Sequence, residues 1–278
     1  MAVKIITDSS ADLPDQLAEE LGITVVPLYV RFGEEVFRER TEISEDDFYR
    51  RLLHGPVHPV TIQPNPQDFA SVYQKLASQA DGIVSIHISN KLSGTCNSAI
   101  QGKEMAEAGC PIEVIDSEMV TVGLGLICIL AAAAVKNGAD LQQVVREVKQ
   151  TLPKMHLLGL VDTLKYMLLG GRIGRAKALV GSLLNVKPLV TLEEGGVVPV
   201  GQARTRSKGI ERLFNFAANA ADIQDVTVAY STTPDEAQTL AERIGAVFTS
   251  QPVRIARLGT TLGVHMGPGA LALAFRGK

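Results

Sequence analysis

Short apolar runs alternate with stretches of helical period through the first half of the chain. Residues 3–6, 24–30, 82–88 and 112–115 read as strands; 14–21, 45–53, 67–79, 94–108, 123–136 and 141–151 read as helices. That alternation predicts a mainly parallel sheet with helices on both faces. Ser10 or Asp12 is placed to cap a helix carrying Pro14 in its first turn, and Asn137-Gly138 to end another.

After Pro153 the pattern changes. Residues 188–192 and 197–202 flank Glu193-Glu194-Gly195-Gly196 and read as a hairpin, followed by a helix at 207–220, a strand at 226–231, a helix at 234–244 and strands at 252–258 and 270–275. A hairpin joined to helix–strand units predicts a mixed or antiparallel sheet. The expected fold is therefore α/β, with an N-terminal lobe of mainly parallel sheet over residues 1–152, a C-terminal α/β lobe with a mixed sheet over 153–278, and a ligand cleft between them. A length of 278 residues with 46% hydrophobic composition fits two cores.

The uncharged stretch 119–135 is short for a bilayer span and rich in Ala and Gly, so it reads as a buried core helix. The net charge of −3 argues against nucleic acid, which polycations bind. Charge is uneven, with 12 Lys and Arg against 21 Asp and Glu up to residue 152, and 15 against 9 beyond it. Two ordinarily solvated surfaces explain that; so does a basic half that meets an acidic partner or makes peripheral contact with an anionic membrane. Cys96, Cys110 and Cys128 lack disulfide or zinc spacing, and residues 1–6 lack an export signal, so a reducing cytoplasm is expected.

The sequence contains no phosphate loop, no Gly-x-Ser-x-Gly and no His-Glu-x-x-His. Gly123-Leu124-Gly125 has Cys128 where a dinucleotide fingerprint needs glycine, and the five histidines show no ligand spacing. No catalytic residue, metal or cofactor is expected.

Four polar islands remain, each where a strand ends or a helix begins: 7–10, 61–66, 89–95 and 263–269. Ligands of open sheets collect at such places. Thr61 sits in a segment stiffened by Pro64 and Pro66. Ser93, expected at the cap of the next helix, and Gly94 outline an anion site at the helix start, although ordinary capping explains them equally. His265 lies in a glycine-rich segment expected to turn between strands, and Arg172 follows Gly170-Gly171 at a helix stop.

The phrases ITDSSADLP, TIQPNP, NKLSGT, LKYMLLGGRIG, LLNVKPLV, QARTRSK and GVHMGPGA, in that order over nearly the whole chain, resemble the DegV family. The resemblance implies two α/β lobes clamping one long-chain fatty acid of the palmitate or oleate class, its carboxylate held by Thr61 and Ser93, with His265 and Arg172 serving the head-group region. Ile62 and Asn65 stand where the family usually has serines. It further implies a chain that is not itself an enzyme and presents the bound acid to a separate fatty-acid kinase; a monomer is expected. The rival readings are a subunit of a small-molecule kinase of the dihydroxyacetone type, and a sensor whose acyl occupancy alters a protein interface. The residues 127–135 and 179–184 are candidate tunnel walls, with core packing as the alternative.

Overall fold

The computed structural model describes residues 2–179, 186–220, 222–248 and 253–278. The first half runs β1 (Ala2–Asp8), α1 (Asp15–Glu20), β2 (Ile23–Val26), β3 (Tyr29–Phe32), β4 (Glu35–Arg38), α2 (Glu45–His54), β5 (Val60–Ile62), α3 (Pro66–Ala77), β6 (Ala80–His87), α4 (Thr95–Ala106), β7 (Ile112–Asp116), α5 (Thr121–Lys136) and α6 (Leu141–Thr151). The second runs β8 (Met155–Leu160), α7 (Lys165–Leu169), β9 (Lys187–Glu193), β10 (Gly196–Ala203), α8 (Arg206–Ala218), β11 (Asp225–Tyr230), α9 (Pro234–Phe248), β12 (Arg254–Arg257), α10 (Thr260–Met266) and β13 (Leu271–Arg276).

The sheets have the characters the sequence predicts. Strands β2-β1-β6-β7 form a wholly parallel sheet, and β10-β9-β8-β13-β11-β12 a mixed one in which only β11 and β12 pair in parallel. A small antiparallel sheet, β4-β3-β5, joins the first half.

One face of the parallel sheet, through Ile6 and Ile83, packs Phe69 and Tyr73 of α3 and Ala99 of α4. Its other face, through Val84 and Ile86, packs α5 and α6. Ala256, Ala272 and Ala274 of the mixed sheet belong to that same core, so α5 is covered by a sheet on both sides. A helix enclosed in this way has no polar face, which is why 119–135 carries no charge. The outer face of the mixed sheet packs Leu158, Leu271 and Phe275 against Leu213, Leu240 and Ile244 of α8 and α9.

Several boundaries differ from expectation. The apolar run 24–30 is two strands in two sheets, broken around Pro27, which lacks the N–H a continuing strand would use. Strands β4, β5 and β8 were not foreseen; Leu157, Leu158 and Leu160 form a short apolar run that periodicity cannot assign. Neither Ser10 nor Asp12 caps α1, whose N-cap is Pro14. Gly94, not Ser93, is the N-cap of α4. The segment at 263–269 is the end of helix α10 and its exit, not a simple turn between strands. Pro252 and residues 180–184 of the wall proposed at 179–184 lie outside the described residues.

Candidate ligand cavity

Helix α10 is fixed from its first turn by two buried carboxylates of the N-terminal half. Gly259 N–H donates to Asp12 Oδ1 at 2.8 Å, and Thr261 donates to Glu39 through its N–H and its hydroxyl, both at 2.9 Å. Thr121, the first residue of α5, donates its hydroxyl to Asp12 Oδ2 at 2.6 Å. Burial, the largest influence, pushes the Asp12 carboxyl well above the usual range, against the lowering effect of those hydrogen bonds. Along its side the helix lies tight on α2, because a Cβ at Gly263 would stand 2.4 Å from the Phe48 ring.

Held in this way, the last turn of α10 points His265 at the small sheet. His265 Nε2 and Thr61 Oγ1 of β5 are 3.1 Å apart. On the other edge of the ring Nδ1 is buried without a hydrogen-bond partner, and a Cβ at Gly170 would lie 2.1 Å from it. Gly170 thus does more than stop a helix: it makes room for the imidazole. Burial, then the nearby positive charge of Arg172 and the neighbouring His58, lowers the His265 pKa to about 3. The ring is neutral at physiological pH and acts as a hydrogen-bonding group, not a cation.

Arg172 is exposed. It donates through Nε to Leu92 O at 3.2 Å and through Nη1 to Gly170 O at 2.9 Å, tying the loop before α4 to the loop after α7. Ser93 Oγ accepts from Thr95 N–H at 3.3 Å and lies 2.8 Å from Thr95 Oγ1.

Thr61, Ser93, Arg172 and His265, scattered over more than 200 residues, all line one cavity of about 320 Å³. The rest of its wall is mainly apolar, from Ile62, Ile88 and Leu92 of the first half and Leu157, Met167, Val190, Leu192, Val197, Leu262 and Met266 of the second. Gly94 does not line it; a Cβ there would stand 2.5 Å from the Gln63 amide oxygen, so its place is to let Gln63 reach the wall. Of the wall proposed at 127–135, no residue reaches this cavity, and Ile127, Cys128 and Ala131 are core.

Sequence reasoning missed Gln63, Thr121, Thr191 and Thr261. Gln63 was legible, being two residues from Thr61 and hence on the same side of an extended segment. Thr121 had no sequence signal: it adopts φ 51°, strained for a β-branched residue, at the cavity wall.

A second polar constellation has the connectivity of a hydrolase triad but not its access. Ser85 Oγ lies 2.7 Å from His87 Nε2, and His87 Nδ1 lies 2.9 Å from Asp8 Oδ2. All three residues are fully buried, and Ser85 Oγ accepts from Tyr73 at 2.8 Å. A nucleophile must meet substrate, so this chain is internal bracing of the parallel sheet. Among the described residues, no three His, Cys, Asp or Glu side chains are grouped to hold a metal ion, and no helix is long and apolar enough to cross a membrane.

The family model described as "Uncharacterised protein, DegV family" matches residues 2–278. The chain belongs to the DegV family. It is 40% identical to a DegV domain-containing protein of Streptomyces coelicolor, over 98% of this chain and 97% of the relative. With Protein DegV of Bacillus subtilis it shares 30% identity over 99% of both. Among solved structures, a DegV family protein of Thermus thermophilus described by its fatty acid binding superposes with a TM-score of 0.91 at 32% identity, covering 100% of both chains. A stearic acid-binding protein of Eubacterium ventriosum gives 0.90 at 26% identity, covering 99% of this chain and 98% of its own. The DegV phrases thus converge in space: TIQPNP supplies Thr61 and Gln63, NKLSGT supplies Leu92 and Ser93, GGRIG supplies Arg172, and GVHMGPGA supplies His265.

Proposed function

We propose that this DegV protein binds one long-chain fatty acid in the cavity between residues 1–152 and 153–278, and presents its carboxylate at the Thr61–Ser93–His265 mouth. The observation that carries the reading is the wall itself: apolar side chains from both halves enclose the space, and four polar residues on it are the four singled out by the family phrases. Solved relatives described as fatty-acid binders, one of them with stearic acid, support the same ligand class.

Burying a methylene yields about 0.8 kcal/mol, so about 14 of them supply on the order of 11 kcal/mol before the cost of immobilisation. The tail sets affinity and the head group sets direction. A neutral His265 with Nε2 at Thr61 leaves hydroxyls to meet the carboxylate, with the Ser93 hydroxyl on the same wall adding a further donor. Arg172 at the rim supplies full charge that attracts the anion.

The chain performs no bond-breaking step in this reading. A separate fatty-acid kinase phosphorylates the presented carboxylate, and Arg172 stabilises the added charge. Solvent extraction of the purified, unsupplemented protein followed by mass spectrometry should release one long-chain acid per chain; an empty extract from a folded protein that also fails to take up stearic acid would overturn the proposal. With ATP and a fatty-acid kinase, the loaded protein should yield acyl phosphate.

A further inference from the structure

A second cavity, of about 300 Å³, opens beside the next turns of α5. The Thr121–Asp12 hydrogen bond stands between the two, since Thr121 lines the first and Asp12 the second. Its walls are largely apolar, with Leu13 and Leu17 around α1 facing Leu126 and Ile129 of α5 and Ile255 of the edge strand β12.

Besides Asp12, two polar residues interrupt that surface, and they are neighbours. Thr227 and Arg254 are register partners on the parallel strands β11 and β12, so their side chains leave the same face of the sheet. Both line the cavity. Thr227 is only 5% exposed, and its hydroxyl has no hydrogen-bond partner. A buried hydroxyl is ordinarily satisfied, so this one points to a missing acceptor or donor. The Arg254 guanidinium meets Asp225 only at 3.9 Å, whereas Arg276 grips the same carboxylate at 2.8 Å. Arg254 is left under-neutralised beside an apolar groove.

We propose that this groove is a second binding site, for an amphiphilic monocarboxylate with a short apolar body. Arg254 and Thr227 take the carboxylate, and the body lies along Leu13, Leu17 and Ile129. Asp12, at the opposite end, has both oxygens engaged by Thr121 and Gly259 and accepts no anion there. Strand β12 and the two residues after it separate the cationic end from Asp12 by more than about 10 Å, room for an extended chain of about eight carbons.

Octanoate is the probe. Full-length protein is first saturated with stearic acid to occupy the larger cavity, and octanoate is then titrated by calorimetry, with octan-1-ol as the uncharged control. One octanoate should bind per chain, with octanol at least tenfold weaker. Arg254→Gln should weaken octanoate at least tenfold and the isosteric Thr227→Val three- to tenfold. Leu17→Trp, which fills the groove, should abolish binding. These substitutions lie outside the first cavity, so they report on the groove whether or not stearic acid loads. No octanoate binding, binding unchanged in both Arg254→Gln and Leu17→Trp, or octanol equal to octanoate would each overturn the proposal.

Discussion

Thr61 and His265 stand 204 positions apart in sequence, and their side chains meet at 3.1 Å. One comes from a three-residue strand in the N-terminal half, the other from the last turn of a seven-residue helix in the C-terminal half. Both line the cavity, so anything that moves either residue should be read out in ligand affinity.

Removing the Thr61 hydroxyl tests that contact directly. Thr61→Val should weaken a long-chain acid by about 1–2 kcal/mol, roughly 5- to 30-fold, while Thr61→Ser stays near wild type. Displacement of a fluorescent fatty acid measures both. Equal affinity of the valine and serine variants would remove the hydroxyl from the head-group site.

Ser93 should act together with Thr61. Ser93→Ala alone weakens binding without abolishing it, because tail burial persists, and the double variant with Thr61→Val loses much of the affinity. An unchanged double variant in the same assay refutes the head-group assignment.

Gly170 is the most economical probe of His265. A methyl group there would stand 2.1 Å from Nδ1, so Gly170→Ala must displace the imidazole. We expect acid affinity to drop by about tenfold or more while far-UV circular dichroism is unaltered. A variant that binds as wild type would show that the ring position does not matter.

The lowered pKa of His265 makes a prediction about acid stability. Its folded value, about 3, lies below the unfolded one of about 6.5, so the unfolded chain takes up the proton first as pH falls. The stability contributed by the buried neutral ring is complete above about pH 6.5 and is lost as pH falls toward 3. Urea midpoints of wild type should therefore fall between pH 6.5 and 4 more steeply than those of His265→Gln; parallel slopes would contradict a neutral buried ring.

Asp12 should behave with the opposite sign. Its folded carboxyl keeps its proton to higher pH than the unfolded one, so its burial costs stability as pH rises above about 4. Asp12→Asn can still accept from Gly259 and should flatten that decline. Asp12→Ala leaves two partners unanswered and should lower stability by about 2–3 kcal/mol, read from chemical denaturation.

Much of the architecture was legible because it is local. Alternating strands and helices up to residue 151 give the parallel sheet, and an uncharged stretch at 119–135 gives a buried helix, since periodicity and burial leave their mark in neighbouring residues. The family phrases, read in order, named Thr61, Ser93, Arg172 and His265 before any of them could be placed.

Contact between residues far apart in sequence was not legible. No spacing rule joins Thr61 to His265, aims Gly170 at an imidazole, or sets Asp12 and Glu39 beneath the first turn of α10, because those distances arise only when two sheets close on one helix. The same closure turned Gly94 from a ligand contact into clearance for Gln63, and made a hydrolase-like trio of Ser85, His87 and Asp8 into inaccessible bracing. Sequence determined which elements form and which residue types are available; packing decided which of them share a surface, since burial and approach are properties of the assembled layers.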